Sequence, residues 1–276
     1  MEAPESLYLE LLKKTLIDYS KINSWEYHPL LIVSPTWKTQ ILFFLDKILR
    51  SRNFAICKLR FVEEKNRLNG YDWPADAKTM IGLNRLNNIE YCIRSIIHNN
   101  IPGDLIETGV WRGGAAILMR AVLKELQITD RKVWLADSFK GLPKPDKTNY
   151  KADKGTRLYK IKLLKSSLEE VRNNFRSFDL LDDQVMFLEG WFKDTLPNAP
   201  VDKLSLLRLD GDMYESTIQA LTNLYPKLSY GGYIIIDDYN AFLNCKQAVT
   251  EYRAENNINN LIIEIDEQAV YWCKEL

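Results

Sequence analysis

No two of the four cysteines, Cys57, Cys92, Cys245 and Cys273, are spaced as a Cys-x-x-Cys pair. Their scatter argues against a disulfide framework or a zinc site and fits reduced thiols in a reducing compartment. Neither charge is in excess: Lys plus Arg and Asp plus Glu both number 37. General nucleic-acid binding needs a basic footprint, so it is not expected, although a local basic patch is allowed. No apolar run approaches the roughly 20 residues that span a bilayer. The N-terminus lacks a charged start, an apolar core and a small-residue cleavage site, so no signal peptide is expected. The expectation is a cytoplasmic protein that does not engage a membrane. Internal repeats and low-complexity tracts are missing too.

What is there describes an ordinary globular protein, with 46% hydrophobic and 27% charged residues over 276 positions. This suits one large domain, or one domain with a substantial extra segment. Residues 1–78 read as a leading segment of short helices and loops, a helical extension that could serve as a lid or oligomer contact. Leu7, Leu11, Leu12 and Leu16 form one helical stripe, and Ile41, Leu42, Leu45, Ile48 and Leu49 a second. From 82 a long amphipathic helix is expected, with Leu83, Leu86, Ile89, Ile93, Ile96 and Ile97 on one face, ended by Pro102-Gly103.

Strands and helices then alternate. Strands are expected at 104–108, 132–137, 184–188, 203–210 and 233–237, with helices at 115–126, 213–225 and 241–255. Such alternation predicts a parallel sheet covered on both faces. The segments 260–265 and 268–274 are too close for a helical crossover and must pair antiparallel. A mostly parallel α/β sheet of seven strands closing in an antiparallel hairpin resembles the class I methyltransferase sheet.

Carboxylates mark the strand ends. Leu207-Arg-Leu-Asp-Gly-Asp212 and Ile234-Ile-Ile-Asp-Asp238 place Asp210, Asp237 and Asp238 where open α/β sheets bind ligands. Carboxylates that share a site raise one another's pKa, and a Mg²⁺- or Ca²⁺-type ion removes that conflict. Asp212 and Glu215 are read as helix-start residues favoured by the dipole. After the first strand of the alternation, Glu107-Thr-Gly-Val-Trp-Arg-Gly-Gly114 offers a glycine turn that brings backbone N–H groups to a ligand. Its glycines do not match G-x-G-x-x-G, which weakens a dinucleotide reading. Asp137 ends the next strand, where an acid can accept hydrogen bonds from ribose hydroxyls or cap the segment that follows. Gly190-Trp191-Phe192 suits a flat ring beside exposed backbone, or core packing. The Lys- and Asp-rich stretch 144–165 reads as a solvated, mobile loop that could close over a site.

Taken together, E-T-G-V-W-R-G-G, A-D-S-F-K-G, F-L-E-G-W-F-K-D-T-L, L-R-L-D-G-D-M-Y-E-S-T and I-I-I-D-D-Y resemble the macrocin O-methyltransferase (TylF-type) family, in order from about Thr79 to Val249. The resemblance implies a methyltransferase domain over 79–276 that uses S-adenosylmethionine and Mg²⁺ or another divalent cation. Its acceptor would be a hydroxyl of a small natural product, a sugar or vicinal diol. It also implies a homodimer. By position, Glu107, Thr108, Gly109, Arg112 and Gly113 would surround the methionine portion of the cofactor. Asp137 and Ser138 would meet the ribose, Gly190 and Trp191 the adenine, and Thr79 and Met80 would approach from the segment before the long helix. Asp210, Asp237 and Asp238 would hold the ion, with Asp210 also touching the cofactor and serving as base. Some relatives use a histidine base, but His28 and His98 both lie outside the matched metal region, and His98 is expected at the surface. The competing readings are an NAD(P)-dependent oxidoreductase and a non-catalytic relative that keeps only the fold.

Overall fold

Buried apolar runs set the centre of the molecule. In the computed structural model, which describes residues 6–29, 37–72 and 74–275, Leu105 and Ile106, Leu206 and Leu207, and Ile234, Ile235 and Ile236 are almost wholly buried. They belong to a seven-stranded sheet. We number its strands β3 (Asp104–Thr108), β4 (Val133–Asp137), β5 (Val185–Glu189), β6 (Leu204–Leu209), β7 (Leu228–Ile236), β8 (Ile263–Glu264) and β9 (Val270–Cys273). The order is β5-β4-β3-β6-β7-β9-β8, parallel through β7 and antiparallel at both β9 pairings. The chain reverses its direction of build between β3 and β6, and the crevice at such a switch point is where α/β sheets take ligands.

Helices cover both faces, as continuous apolar strands require. One face carries α1 (Leu7–Leu16), α4 (Leu83–His98), α5 (Gly114–Glu125) and α6 (Leu168–Ser177); the other carries α8 (Tyr214–Leu224) and α9 (Leu243–Glu255). The stripe expected on α4 is the face it buries: Leu86, Ile89, Ile93 and Ile96 are fully inside. His98 ends this helix and is exposed. Leu9, Leu12 and Leu16 bring α1 into the same core, so no boundary in packing falls at residue 78.

The leading segment differs from its sequence reading. It contains a two-stranded antiparallel sheet, β1 (Trp25–Pro29) with β2 (Cys57–Phe61), joined through α2 (Trp37–Arg50) and followed by α3 (Glu64–Asn69). Strand β1 alternates with inverted sign: Glu26 and His28 are buried, while Trp25 and Tyr27 are exposed. A strand that buries its polar side chains gives no hydrophobic-in signal. The hairpin is also shorter than expected, because β8 spans two residues of the 260–265 stretch. The 144–165 stretch is a chain of 3-10 turns at Lys151–Asp153, Leu158–Lys160 and Lys162–Leu164.

Candidate functional site

The strand-end carboxylates are placed by the sheet ladder itself. Asp210 N donates to Thr108 O at 2.9 Å, Asp237 N to Leu209 O at 2.9 Å, and Gly190 N to Asp137 O at 2.9 Å. Side chains one residue beyond adjacent parallel strands therefore converge. Ligand oxygens of Asp210, Asp237 and Asp238 all lie within 4.8 Å of one another. Gly109, at φ +86°, makes room for this: a Cβ there would sit 1.7 Å from the Asp210 carbonyl oxygen. No side chain fits.

Two arginines thread this acidic cluster. Arg208 lies two residues before Asp210 on β6, hence on the same face of the strand. Its Nη1 donates to Glu107 Oε1 at 2.5 Å and Asp210 Oδ2 at 2.9 Å, and its Nη2 to Asp237 Oδ1 at 2.6 Å. Arg85, in the first turn of α4, donates from Nη1 to Asp237 Oδ2 at 2.6 Å and from Nε to Asp266 Oδ2 at 2.6 Å. Asp237 is therefore gripped from both sides. Burial alone would raise its pKa, yet Arg208 and Arg85 hold it below the ordinary carboxylate range. Its neighbours are not so served. Burial and the Asp237 charge raise Asp210 to about 6, against the pull of Arg208. Burial, then the charges of neighbouring aspartates, Asp210 and Asp237 among them, holds Asp212 and Asp238 well above the usual range. Burial, only partly offset by Arg208, lifts Glu107 to about 8.

Six acids, Glu107, Asp210, Asp212, Asp237, Asp238 and Asp266, thus share two guanidinium groups. A divalent cation fits this imbalance. Asp210 Oδ1 and Asp238 Oδ1 have no donor among the described residues, since Arg208 takes Asp210 Oδ2 and the Asp212 N–H takes Asp238 Oδ2 at 3.1 Å. Hard cations bind such oxygens at roughly 2.0–2.6 Å, and Asp237 keeps lone pairs beyond its two arginine bonds.

Beside the cluster lies a cavity of about 500 Å³. Met80, Gly109, Asp137, Ser138, Gly190, Trp191 and Asp210 all line it, as do Trp111, Phe192 and Asp212. Asp137 caps backbone N–H groups and also faces the cavity. Its Oδ2 accepts from Val110 N and its Oδ1 from Phe139 N, each at 2.7 Å, while the carboxylate also borders the cavity. Asp212, read as a helix-start residue, instead sits in the left-handed region at φ 59° in the cavity wall.

Five expected contacts lie outside that wall. Arg112 donates to the Ala75 and Ala77 carbonyls at 2.8 and 2.9 Å and stacks on Trp111, so its charge supports the segment leading to Met80. Gly113 packs against Val171 and Phe175. Thr79 turns its hydroxyl to Ile81 N. Thr108 is buried within β3, and Glu107 is buried against Arg208. Sequence reasoning passed over Arg208 and Arg85. An arginine inside an apolar strand, in step with Asp210, was a usable signal for the first; Arg85 has no local signal, since its partners lie more than 150 residues away.

The family profile described as Macrocin-O-methyltransferase (TylF) matches residues 5–274. The chain is 57% identical over 210 residues to the demethyldecarbamoylnovobiocin O-methyltransferase of Streptomyces niveus, covering 76% of this chain and 80% of that protein. It is 53% identical over 207 residues, 75% of this chain and 79% of the relative, to the 8-demethyl-8-(2,3-dimethoxy-alpha-L-rhamnosyl)-tetracenomycin-C 4'-O-methyltransferase of Streptomyces olivaceus. Among solved structures, that of the O-methyltransferase NovP superposes with a TM-score of 0.83 at 47% identity, covering 98% of this chain and 99% of that one. These likenesses set aside the nicotinamide oxidoreductase and non-catalytic alternatives. A mostly parallel seven-stranded sheet with a closing hairpin, a glycine turn against Asp210 and a profile match along nearly the whole length lead to one assignment: the chain belongs to the macrocin O-methyltransferase family and is an S-adenosylmethionine-dependent O-methyltransferase of natural-product biosynthesis.

Proposed function

We propose that this enzyme methylates a sugar hydroxyl of a small natural product, one of a vicinal pair, with a divalent cation such as Mg²⁺ held by Asp210, Asp237 and Asp238. The observation that carries the reading is the convergence of those three carboxylates, short of positive charge, at the edge of a cavity bordered by Gly109, Asp137 and Gly190. The printed name of the Streptomyces olivaceus relative, a 4'-O-methyltransferase of a rhamnosyl compound, supports a sugar acceptor.

When bound, S-adenosylmethionine supplies an activated methyl group and a divalent ion supplies charge that favours an alkoxide. The protein's part is to position and to accept a proton. Asp210 takes the acceptor's proton on the Oδ1 lone pair that a bound ion would leave open, while Arg208 fixes the other oxygen of the same carboxylate at 2.9 Å. Arg85 and Arg208 hold Asp237 in one orientation, so the cluster is shaped before any ligand arrives. Asp137, Ser138, Gly190 and Trp191 border the part of the cavity suited to a ribose and a flat ring. Residues 144–165 form its outer wall and exclude water from the transfer.

Turnover on diol-bearing glycosides, followed through S-adenosylhomocysteine release, tests this. Excess chelator is expected to stop the reaction and Mg²⁺ to restore it. Asp210→Asn is expected to lower turnover by about 10³-fold or more while calorimetry shows S-adenosylhomocysteine binding largely retained. Full activity in excess chelator, or an active Asp210→Asn enzyme, overturns the metal and base assignment.

A further inference from the structure

The outer wall of the cavity has a charge that neither the methyl donor nor the cation explains. Residues 140–165 contain nine Lys or Arg and two Asp, whereas the remaining 250 residues carry 28 basic and 35 acidic side chains. All nine cations are exposed, and none is in an ion pair with a described residue. Of the two acids, Asp146 lies in the cavity wall with Lys144 and Lys193, while Asp153 is turned into the protein. Asp146 accepts the Thr148 and Asn149 N–H groups. Asp153, fully buried, accepts from Tyr214 N at 2.8 Å, Glu215 N at 2.9 Å and Asn244 Nδ2 at 2.7 Å.

These bonds, with Trp111 Nε1 donating to Leu163 O at 2.7 Å and Ser138 Oγ to Gly141 O at 2.8 Å, pin the stretch against the mouth of the cavity. Lys144 reaches the cavity wall from this stretch, and Lys193 from α7 (Phe192–Thr195) beside it. Lys144 and Lys193 are thus the cations of the cavity wall, against the single carboxylate of Asp146 beside them, with the other cations of the stretch outside the wall and the acidic cluster as the floor. S-adenosylmethionine is itself net cationic, and so is the metal, so these lysines repel both. Their charge complements only the third component of the reaction.

We infer that the acceptor carries an anionic group beyond its sugar, a carboxylate or the diphosphate of a nucleotide, which Lys144 and Lys193 hold within the field of the basic 140–165 stretch while the hydroxyl end reaches Asp210. This rests on the sugar-acceptor reading and narrows it to an anionic class. A neutral glycoside gains nothing from these lysines. An anionic one is drawn to them through a field that salt screens.

Matched probes separate the cases: phenyl α-rhamnoside, para-carboxyphenyl α-rhamnoside and dTDP-rhamnose, titrated calorimetrically into the enzyme saturated with Mg²⁺ and S-adenosylhomocysteine. The anionic probes are expected to bind about tenfold or more tighter than the neutral one at low salt, the advantage shrinking between about 20 and 500 mM NaCl. Lys144→Gln/Lys193→Gln is expected to lose most of the preference with its urea midpoint unchanged. Stronger binding of the nucleotide sugar identifies a nucleotide-linked acceptor; stronger binding of the carboxylated glycoside identifies an acidic finished product. Equal affinity within the neutral and carboxylated pair, a preference indifferent to salt, or no binding of either anionic probe overturns the inference. Tight binding of the carboxylated probe, with no methyl transfer to any of the three probes once S-adenosylmethionine replaces S-adenosylhomocysteine, would sink the sugar reading and leave the anionic one standing.

Discussion

Replacing Arg208 by methionine, which keeps most of its length and removes its charge, isolates what holds the strand-end acids together. Arg208 is 1% exposed and contacts Glu107, Asp210 and Asp237 at 2.5, 2.9 and 2.6 Å. Without it, among the described residues Glu107 has no cation in contact and Asp237 keeps only Arg85. Breaking a buried pair from one side costs about 3–5 kcal/mol, because an uncompensated charge stays behind. With a urea m-value near the top of the usual range, about 3 kcal/mol/M, the unfolding midpoint should fall by roughly 1–1.7 M. Glu107, lifted to about 8, is already mostly neutral at neutral pH, so the charge left behind is chiefly that of Asp237. Neutralising it should return part of the loss, and Arg208→Met/Asp237→Asn is expected to be at least about 1 kcal/mol more stable than Arg208→Met alone. Urea unfolding of the three proteins by far-UV circular dichroism, in chelator at neutral pH, makes the comparison. A midpoint shift below about 0.3 M for Arg208→Met, equivalent to about 1 kcal/mol, would refute the argument that these carboxylates depend on Arg208.

Other expected outcomes are more local. Gly109→Ala puts a Cβ 1.7 Å from the Asp210 carbonyl oxygen at a positive φ, so it should abolish turnover or folding; soluble, fully active protein on assay would contradict the close packing of the two strand ends. Asp153→Ala removes three acceptor contacts that dock the basic stretch on the starts of α8 and α9, and should cost about 1–3 kcal/mol and speed proteolysis within 140–165, read by limited trypsin digestion with mass spectrometry. The outward row Trp25, Tyr27, Leu59 and Phe61 is exposed, and so are Ile41, Phe44 and Ile48 on α2, a share of exposed apolar side chains of the kind that marks an interface. A homodimer is expected from it, and Phe44→Glu/Phe61→Glu should shift the mass by light scattering toward a monomer. A wild-type chain that runs as a monomer at assay concentration would contradict this.

Periodicity in the chain was enough to determine the alternating strands and helices, the antiparallel close and the strand ends bearing Asp137, Asp210, Asp237 and Asp238, because a fully buried parallel strand must be an uninterrupted apolar run. The motifs at 107–114, 137–141, 188–197 and 207–217 carried the family. Tertiary structure alone decided the rest. Arg85 reaches Asp237 across 152 residues of chain, and no local pattern encodes that. Arg112 lies outside the cavity wall, its guanidinium claimed by two carbonyls of the preceding segment. The β1–β2 pair was hidden because its buried side chains are the polar ones. A run of lysines reads in sequence as a solvated loop; only the buried Asp153, bonded to the start of α8, turns it into the rim of the cavity. Sequence fixes which groups are costly to leave in water or out of it, and packing decides which partner meets that cost.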